Sequence, residues 1–332
     1  MPCTVIAGGF WGDEGKGKIL SYLALEDKLD FCVRTGSVNA AHTIWHKGKR
    51  YALHMVPGGF VYPECRLLIS PGSNVHVPQF MKEVEETQVH KRVAIDNQAS
   101  IIEEKHSDQD KTSAHLKGLG TTGWGVGPAI EERVRRTAKL ARDIPELENY
   151  LTDVPKEINQ ALDKNKKVLL EGTQGLLLSL YHGSYPYVTG RDTSASAICS
   201  EAGVGPTRID HVIVVLKSFV TRVGTGPLPG EITKEEATKR GWFKTAAGTG
   251  RDRRSAPFNM ELAKKAVTIN GATQIALTKL DCLHPESKAT RTYEELPIEA
   301  KQFIKDIEEQ TRTRVTLIGT GPDALDLIDR RE

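Results

Sequence analysis

Short apolar runs alternate along the chain with longer stretches whose apolar residues recur at helical spacing. The apolar runs are rich in β-branched residues and predict buried strands at residues 4–7, 167–170, 211–216, 275–277 and 315–318. The longer stretches have proline or acidic residues near their starts and predict helices at residues 145–164, 257–269 and 298–310. Strands that alternate with helices predict an α/β fold with a largely parallel central sheet flanked by helices.

The chain shows no internal repeat, no low-complexity tract and no clear linker. Residues 103–112 (EEKHSDQDKT) predict a charged surface segment, which is too short to divide two domains. We therefore expect one domain, residues 1–332, with long loops that carry the functional site.

Composition narrows the class of protein. Lysine plus arginine total 45 and aspartate plus glutamate total 43, so the formal net charge is only +2 and gives no reason to expect a nucleic acid or a membrane as partner. The five cysteines lack CxxC spacing and indicate reduced thiols. The N-terminal run is typical of a strand entering a loop rather than of a signal peptide, and no apolar run approaches the roughly 20 residues of a membrane span. We expect a soluble, cytoplasmic protein.

A glycine-rich run at residues 8–18 (GGFWGDEGKGK) follows the first predicted strand and opens a helix. Glycines let the backbone approach a phosphate, and a helix N-terminus adds amide donors. Residues 12–18 match the spacing of a Walker A loop, but Ile19 stands where that loop has the Ser or Thr that binds Mg²⁺. Asp13 and Glu14 would repel phosphate unless a metal ion or a catalytic role explains them. The run predicts an unusual phosphate-binding loop, with a solvated glycine turn as the alternative.

Two other kinds of site are disfavoured. His42, His46 and His54 could suggest zinc, but no carboxylate is placed like a third ligand. A nicotinamide dehydrogenase needs G-x-G-x-x-G, whereas Leu20 stands at the position of the third glycine.

Further segments carry a family resemblance. They are residues 38–43 (VNAAHT), 120–128 (GTTGWGVGP), 182–189 (HGSYPYVT), 215–227 (VLKSFVTRVGTGP), 248–254 (GTGRDRR), 277–281 (LTKLD) and 319–322 (GTGP). With the glycine loop they resemble, in the same order, the motifs of the adenylosuccinate synthetase family, and the chain is similar in length to its compact archaeal members and their phage relatives. The resemblance implies a P-loop-NTPase-like fold. It also implies a ligase that joins L-aspartate to C6 of a purine nucleoside monophosphate through a 6-phosphoryl intermediate, with Mg²⁺ and GTP.

The resemblance assigns catalytic roles to residues of the first loops and of a central one. Asp13 would take the N1 proton of the purine and contact Mg²⁺, and the carbonyl of Ala41 would be a second metal ligand. Lys16 would contact phosphate, and His42 would donate to the leaving nucleotide phosphate. Gln174, which follows a predicted strand, would hydrogen-bond the purine.

GTP is the implied co-substrate, with ATP as an alternative. A carboxylate at Asp281 can accept both the N1 and the N2 proton of guanine, which distinguishes guanine from adenine. The residues implied in binding this co-substrate are Gly12, Glu14, Gly15, Gly17, Lys18, Thr43, Lys279, Asp281, Gly319 and Gly321.

The two other substrates have their own implied contacts. Arginine suits a dicarboxylate because its guanidinium group forms bidentate hydrogen bonds. The residues implied for the monophosphate are Asn39, Thr122, Gln174, Thr189 and Val223, and those for L-aspartate are Thr249, Arg251 and Arg253. Arg136 would reach into the site of a neighbouring subunit, which implies a homodimer, although the spacing of residues 135 and 136 alone also suits a solvated helix face.

Four positions depart from the family pattern. Ala41 stands where the family has glycine, so the carbonyl is kept but φ is restricted. Gly230 and Gly248 replace threonines near the aspartate site, and Tyr181 replaces an acidic residue that is common in bacterial members.

The purine base stays open at this point. Inosine monophosphate is favoured because Asp13 is retained, and the alternative is a phage-type succinoaminodeoxyadenylate synthase that uses dGMP or GMP with ATP or GTP. A carboxylate can accept N1–H alone or N1–H together with the 2-amino hydrogen of guanine, so the space beside C2 decides. A second alternative, a GTP-binding regulatory switch, would explain the glycine loop and residues 278–281. It would not explain the arginine loop or residues 182–189.

Overall fold

The computed structural model describes residues 2–243, 245 and 251–331. Its strands are β1 Cys3–Gly8, β2 Phe31–Arg34, β3 His42–His46, β4 Lys49–Leu53, β5 Arg66–Ile69, β6 Asn74–Val75, β7 Val93–Asp96, β8 Ser100–Ile101, β9 Leu151–Thr152, β10 Val168–Glu171, β11 His211–Lys217, β12 Phe219–Val223, β13 Arg253–Pro257, β14 Gln274–Thr278, β15 Val315–Gly319 and β16 Leu327–Asp329. Its α-helices are α1 Lys16–Glu26, α2 Val77–Thr87, α3 Glu104–Thr112, α4 Ala114–Gly118, α5 Val126–Arg135, α6 Val154–Asp163, α7 Ala195–Ala202, α8 Lys234–Lys239, α9 Met260–Asn270, α10 Leu280–Leu283 and α11 Ile298–Thr311. Short 3-10 helices cover Gly58–Val61, Ala141–Asp143, Pro145–Tyr150, Leu176–Leu178, Pro206–Arg208 and Pro285–Ser287.

A ten-stranded sheet forms the centre, in the order β16-β15-β14-β11-β1-β10-β2-β5-β7-β9. Every neighbouring pair is parallel except β15 and β16, which are antiparallel. The predicted α/β class with a largely parallel sheet is confirmed. The five strands predicted from apolar runs are β1, β10, β11, β14 and β15, and their ends differ from the predicted ones by at most one residue.

Helices cover both faces of this sheet, which explains why its strands are apolar throughout. In β1, Val5 and Ala7 belong to a buried cluster with residues of α6 and α7. Ile6, which points to the opposite face, belongs to a second cluster with residues of α1 and α2. Because successive strand residues point to opposite faces, a strand covered on both sides needs apolar residues at every position.

The prediction of one helix at residues 145–164 is wrong. A 3-10 helix at Pro145–Tyr150 is followed by β9, which pairs with β7, and α6 begins only at Val154. Asp153 ends the extended segment because its side chain accepts the Lys156 backbone N–H at 3.0 Å and caps α6, and Pro155 fits the first turn of a helix.

The two other predicted helices are present, one of them with a changed start. Pro257 is the last residue of β13, so α9 begins three residues later than predicted, after Asn259 has capped the Leu262 N–H at 3.0 Å. The predicted helix at residues 298–310 is confirmed as α11. The charged segment at residues 103–112 is mostly exposed, but it forms α3 and buries His106 and Asp110.

The remaining general predictions concern the cysteines, membrane-spanning helices and the number of domains. None of the five cysteines forms a disulfide, and four of them are buried. Among the described residues no helix has both the length and the apolar character needed to cross a lipid bilayer. The prediction that residues 1–332 form a single domain stays a prediction.

Candidate active site

At the carboxyl edge of the central sheet several strands end in buried charged residues, and loops that follow these strands line a large cavity. In an open α/β sheet this edge is where ligands bind. Gly8 at the end of β1 leads into the glycine loop, and β2, β10 and β11 end at Arg34, Glu171 and Lys217, which are all buried. Thr278, at the end of β14, donates its hydroxyl to the Glu14 carbonyl and ties that strand to the loop.

The cavity has a volume of about 440 Å³ and is lined by residues from distant parts of the chain. The predicted site residues that line it are Gly12, Asp13, Lys16, Asn39, Ala41, His42, Thr43, Thr122, Gln174, Thr189, Val223 and Arg251. The structure therefore brings together most of the residues implied for the monophosphate and for catalysis.

Glu14 stabilises the glycine loop by accepting hydrogen bonds from its backbone. It is fully buried, and its Oε1 accepts the Phe10 N–H at 3.0 Å and the Gly12 N–H at 2.8 Å. Its Oε2 lies 2.7 Å from Nζ of Lys16, so this carboxylate is already paired within the loop. Glycine is required at residue 17, because a Cβ there would lie 2.6 Å from the Thr43 carbonyl oxygen. The loop therefore holds α1 close to β3, with Lys16 and the first amides of α1 directed to the site.

His42 is held by a buried ion pair that joins two strand ends. Its Nδ1 lies 2.6 Å from Oε1 of Glu171, which also pairs with Arg34. Burial alone raises the pKa of Glu171, but Arg34 and His42 outweigh it and lower that pKa to about 2. Burial, with the charge of Arg34 beside it, lowers the pKa of His42 to about 4. The imidazole is therefore neutral at pH 7 and donates from Nδ1 to Glu171.

The other ring nitrogen of His42, Nε2, is not used in this contact. Nε2 is buried and makes no hydrogen bond within the described part of the chain, and His42 lines the cavity. Glu171 and Arg34 were not predicted from the sequence. Their signal would have been a charged residue at the end of an apolar run in two different strands, because these are the residues that meet across neighbouring parallel strands.

A second, smaller cavity of about 40 Å³ adjoins the first, and Asp13 lines both. Its polar lining includes Lys217, Thr221, Arg253 and Lys279. Arg253 is paired with Asp13 across it. The two arginines predicted to bind L-aspartate therefore differ in position, since Arg251 lines the large cavity and donates to the Gly120 carbonyl at 2.9 Å. Thr249 and Gly248, which belong to the same predicted site, lie outside the described residues.

Lys217 is a third residue that sequence analysis missed. Its side chain is buried, donates to the hydroxyl of Thr221 and lies with Nζ 4.8 Å from the centre of the Phe219 ring. Burial lowers its pKa to about 7, against the effect of the nearby Asp13 carboxylate. The residue occurs within a quoted motif, and as a charged residue at the end of an apolar run it carried the same signal as Arg34 and Glu171.

The residues implied for the guanine base form a separate group around the ends of β14 and β15. Lys18 donates to the Asp323 carbonyl, and a Cβ on Gly319 would lie 3.0 Å from Cε of Lys18. Burial lowers the pKa of Lys18 to about 8, with nearby aspartates including Asp281 opposing the shift. Oδ1 of Asp281 is buried and has no hydrogen-bond partner among the described residues.

Most residues implied for the co-substrate do not line the large cavity: Glu14, Gly15, Gly17, Lys18, Lys279, Asp281, Gly319 and Gly321. Lys279 lines the smaller one. These residues of the predicted co-substrate site therefore lie outside the large cavity.

Arg136 lies apart from both cavities. It follows the last residue of α5 with a positive φ of 66°, and its side chain is exposed next to the exposed Val134. Of the departures from the family pattern, Tyr181 is also exposed, and Gly230 has a φ of 74° that glycine adopts readily.

Two further missed residues hold loops of the large cavity. Arg222 donates to the carbonyls of Pro227 at 2.7 Å and Tyr187 at 2.9 Å, and its guanidinium lies 5.4 Å from the centre of the Trp11 ring. Asp110 accepts the Thr121 hydroxyl at 2.6 Å and the Gly125 N–H at 2.8 Å. Arg222 stands in a quoted motif, whereas Asp110 looked like one of several solvated charges.

Comparison with known proteins gives a consistent result. The family model described as adenylosuccinate synthetase matches residues 5–146 and 137–288. Adenylosuccinate synthetase of Methanosphaera stadtmanae is 49% identical over 336 residues, which cover 100% of this chain and 98% of that protein. The enzyme of Archaeoglobus fulgidus is 50% identical over 334 residues, with 100% and 99% covered.

Two solved structures are similar in fold. Fully ligated adenylosuccinate synthetase from Plasmodium falciparum superposes with a TM-score of 0.90 at 26% identity, with 99% of each chain covered. Succinoaminodeoxyadenylate synthetase of cyanophage S-2L, bound to dGMP and dATP, superposes with a TM-score of 0.82 at 23% identity, with 100% of this chain and 96% of that chain covered. At that identity the second likeness concerns the fold alone.

Proposed function

Because the chain belongs to the adenylosuccinate synthetase family and is a ligase, we propose that it joins L-aspartate to C6 of inosine monophosphate with GTP as phosphoryl donor. The observation that carries this reaction is the position of Asp13. Its carboxylate lines the large cavity and the smaller one, with Arg251 on one side and Arg253 on the other. A base that lies between a nucleotide cavity and two guanidinium groups suits the joining of a purine to a dicarboxylate.

The first proposed step activates C6 of the purine. Asp13 takes the N1 proton, and the 6-oxygen, now more negative, attacks the γ-phosphorus of GTP. The bond to the β–γ bridging oxygen breaks, and GDP leaves. Gln174, which lines the same cavity, hydrogen-bonds the purine and holds its N1 edge toward Asp13.

Lys16 and His42 act on the charge that develops in this step. Lys16 is buried beside the glycine loop and supplies a positive charge near the transferred group. Nε2 of His42 is buried and has no hydrogen-bond partner among the described residues, while Glu171 holds Nδ1. Negative phosphate oxygens favour the protonated imidazole, so a phosphate at Nε2 raises the pKa of His42 from its value of about 4 and lets it donate.

The residues present fit a magnesium ion. Mg²⁺ prefers oxygen ligands, and both the Asp13 carboxylate and the Ala41 segment line the large cavity beside Lys16. The alanine at residue 41 keeps the backbone carbonyl that this ligation requires. Bound there, Mg²⁺ would neutralise negative charge on the phosphate oxygens.

The second proposed step forms the new bond. The amino group of L-aspartate attacks C6, and the phosphate on the 6-oxygen leaves. Arg251 and Arg253 hold the carboxylates of L-aspartate so that the amine faces C6, which makes the reaction effectively unimolecular. The reaction yields N6-succinyl purine nucleotide, GDP and phosphate.

The choice of purine and of nucleotide triphosphate belongs to the proposal. Retention of Asp13 favours inosine monophosphate, with dGMP or GMP as the alternative substrates. Guanine is favoured over adenine in the donor because the buried, unpartnered Oδ1 of Asp281 can accept a proton from guanine N1 or N2, and adenine offers neither in that place. We also propose a homodimer with Arg136 contributed across the interface, and a cytoplasmic enzyme made of one domain.

The test is product formation by the purified protein. It is incubated with Mg²⁺, L-aspartate and either GTP or ATP, and IMP, GMP or dGMP is added separately. Mass spectrometry then detects the succinylated nucleotide. Product from IMP with GTP supports the proposal, and product only from GMP or dGMP assigns the phage-type reaction. GTP hydrolysis that is independent of L-aspartate, without succinylated product, assigns the regulatory switch.

A further inference from the structure

Lys217 stands at the centre of the sheet edge and is not used by the mechanism above. It is the last residue of β11, which lies between β1 and β14. Its side chain is only 4% exposed, and it lines the smaller cavity with Asp13 and Arg253. A side chain at this place can reach ligands that bind where Asp13 acts.

The lining of the smaller cavity carries an excess of positive charge. Among the described residues that line it, the cations are Lys217, Arg253 and Lys279, and the one carboxylate is Asp13, which is already paired with Arg253. Across residues 2–243, 245 and 251–331, no carboxylate forms an ion pair with Lys217. Its neighbours are the Thr221 hydroxyl and the face of the Phe219 ring, which do not neutralise an ammonium group.

A buried charge of this kind lowers the stability of a fold. Removing an ammonium group from water costs free energy that only a nearby opposite charge offsets well. A neutral side chain of similar length would pack in the same space without that cost. The ammonium group of Lys217 is therefore explained best by a ligand that brings a negative charge.

We propose that Lys217, together with Arg253, binds a compact oxyanion beside Asp13, and this proposal rests on the proposed function. The cavity of about 40 Å³ has room for one end group rather than for a whole nucleotide. A guanidinium group binds an oxyanion bidentately. An ammonium group adds a point charge that can pair with oxyanions of different shapes. A carboxylate of L-aspartate and the phosphoryl group in transit are the two sources of such an oxyanion.

The variant Lys217→Met keeps the length of the side chain and removes its charge. Lys166→Met is the matched control, because this substitution lowers the net charge by the same amount. Lys166 is 52% exposed and pairs with Asp30 outside both cavities. Thermal unfolding is measured for the three proteins with increasing inorganic phosphate and, separately, L-aspartate. We expect Lys217→Met to have a melting temperature at or above that of the wild type. It should need at least about tenfold more of one of the two anions for the same stabilisation.

Steady-state kinetics distinguishes the two sources. A rise of at least about tenfold in the KM for L-aspartate, with the KM for the nucleotide monophosphate unchanged within about twofold, assigns the carboxylate. A fall in kcat or a rise in the KM for GTP, with the KM for L-aspartate unchanged, assigns the phosphoryl group. Anion responses and kinetic constants that all stay within about twofold of the wild type overturn the proposal.

Failure of the fold is also informative. Lys217→Gln is measured if Lys217→Met does not fold, and loss of folding in both variants overturns the proposal, because it shows that the charge stabilises the protein. The anion titrations do not need turnover. If the wild-type protein forms no succinylated product, the proposed function fails while the titrations still decide whether Lys217 binds an oxyanion.

Discussion

Asp13 and Arg253 form an ion pair between residues that are 240 positions apart in the sequence. Nε of Arg253 lies 2.6 Å from Oδ2 of Asp13, and Nη2 lies 3.0 Å from Oδ1. The proposed base is thus bound to a residue that is proposed to hold L-aspartate. In the proposed reaction a carboxylate of L-aspartate would compete with Asp13 for this guanidinium group, which would couple the binding of L-aspartate to the freeing of the base.

The role of Asp13 as base is tested by Asp13→Asn. The amide keeps the size of the side chain but cannot accept the N1 proton, so we expect turnover to fall by about 10²–10⁴-fold while the nucleotide monophosphate still binds. Binding is measured by calorimetry and turnover by succinylated product. Asp252→Asn is the control, because Asp252 is exposed and pairs with Lys234. A variant Asp13→Asn with wild-type turnover would refute the assignment.

Arg251 can be tested without disturbing Asp13, because it lines the large cavity whereas Arg253 lines the smaller one and pairs with Asp13. Arg251 has no carboxylate partner among the described residues, so its replacement leaves the loop of Asp13 in place. For Arg251→Lys we expect the KM for L-aspartate to rise about tenfold or more, with the KM for GTP unchanged, because an ammonium group cannot replace bidentate hydrogen bonds. Arg254→Lys, which affects a residue paired with Glu231 outside both cavities, serves as control. Equal losses for both substrates would contradict the proposed role.

The sequence predicted the sheet better than the helices. Strands such as β1 were predictable because both faces are buried, so that an apolar run marks each of them. The helix at residues 145–164 was mispredicted because its polar and apolar spacing continues through β9, and only the cap at Asp153 shows the break. Propensity does not reveal that residues 151–152 pair with β7, since that pairing depends on distant residues.

Some residues of the candidate site could also be predicted from the sequence, whereas others could not. Asp13, Lys16 and His42 were predictable because they stand in motifs with recognisable spacing. Glu171 and Arg34 were not, because they are paired across β10 and β2 and lie 137 residues apart. A sequence pattern reports neighbours along the chain, whereas the support of His42 comes from neighbours across the sheet.

The ion pair of Glu171 predicts a large effect on stability. Glu171→Gln leaves the charge of Arg34 buried without a counter-charge, which should lower the free energy of unfolding at pH 7 by roughly 3–5 kcal/mol. It also removes the carboxylate that orients His42, so turnover should fall further than the loss of folded protein explains. Glu83→Gln is the matched control, because Glu83 is equally buried and accepts the backbone N–H groups of Met55 and Val56 outside both cavities.

The ion pair of Glu171 also determines how the difference in unfolding free energy between wild type and Glu171→Gln depends on pH. The folded-state pKa of Glu171, about 2, is below the ordinary value of 4.5, so the stabilisation is complete above pH 4.5 and is lost as the pH falls toward 2. We expect the difference in unfolding free energy between wild type and Glu171→Gln to be constant from pH 7 to 5 and to shrink below pH 4.5. Denaturant unfolding at a series of pH values measures it. A difference that grows on acidification would contradict the ion pair.

Arg136 predicts complementation between inactive variants. It is exposed at the end of α5, outside both cavities, so it can act only on a site that is brought to it. If it acts across a homodimer interface, Arg136→Ala and Asp13→Asn are each inactive alone. A hybrid dimer then has one site with Asp13 from one chain and Arg136 from the other. Mixing equal amounts after dissociation should restore about a quarter of the wild-type activity, because half of the dimers are hybrids with one intact site each. Activity that stays absent on mixing, while sedimentation shows hybrid dimers, would mean that Arg136 serves its own chain or no site.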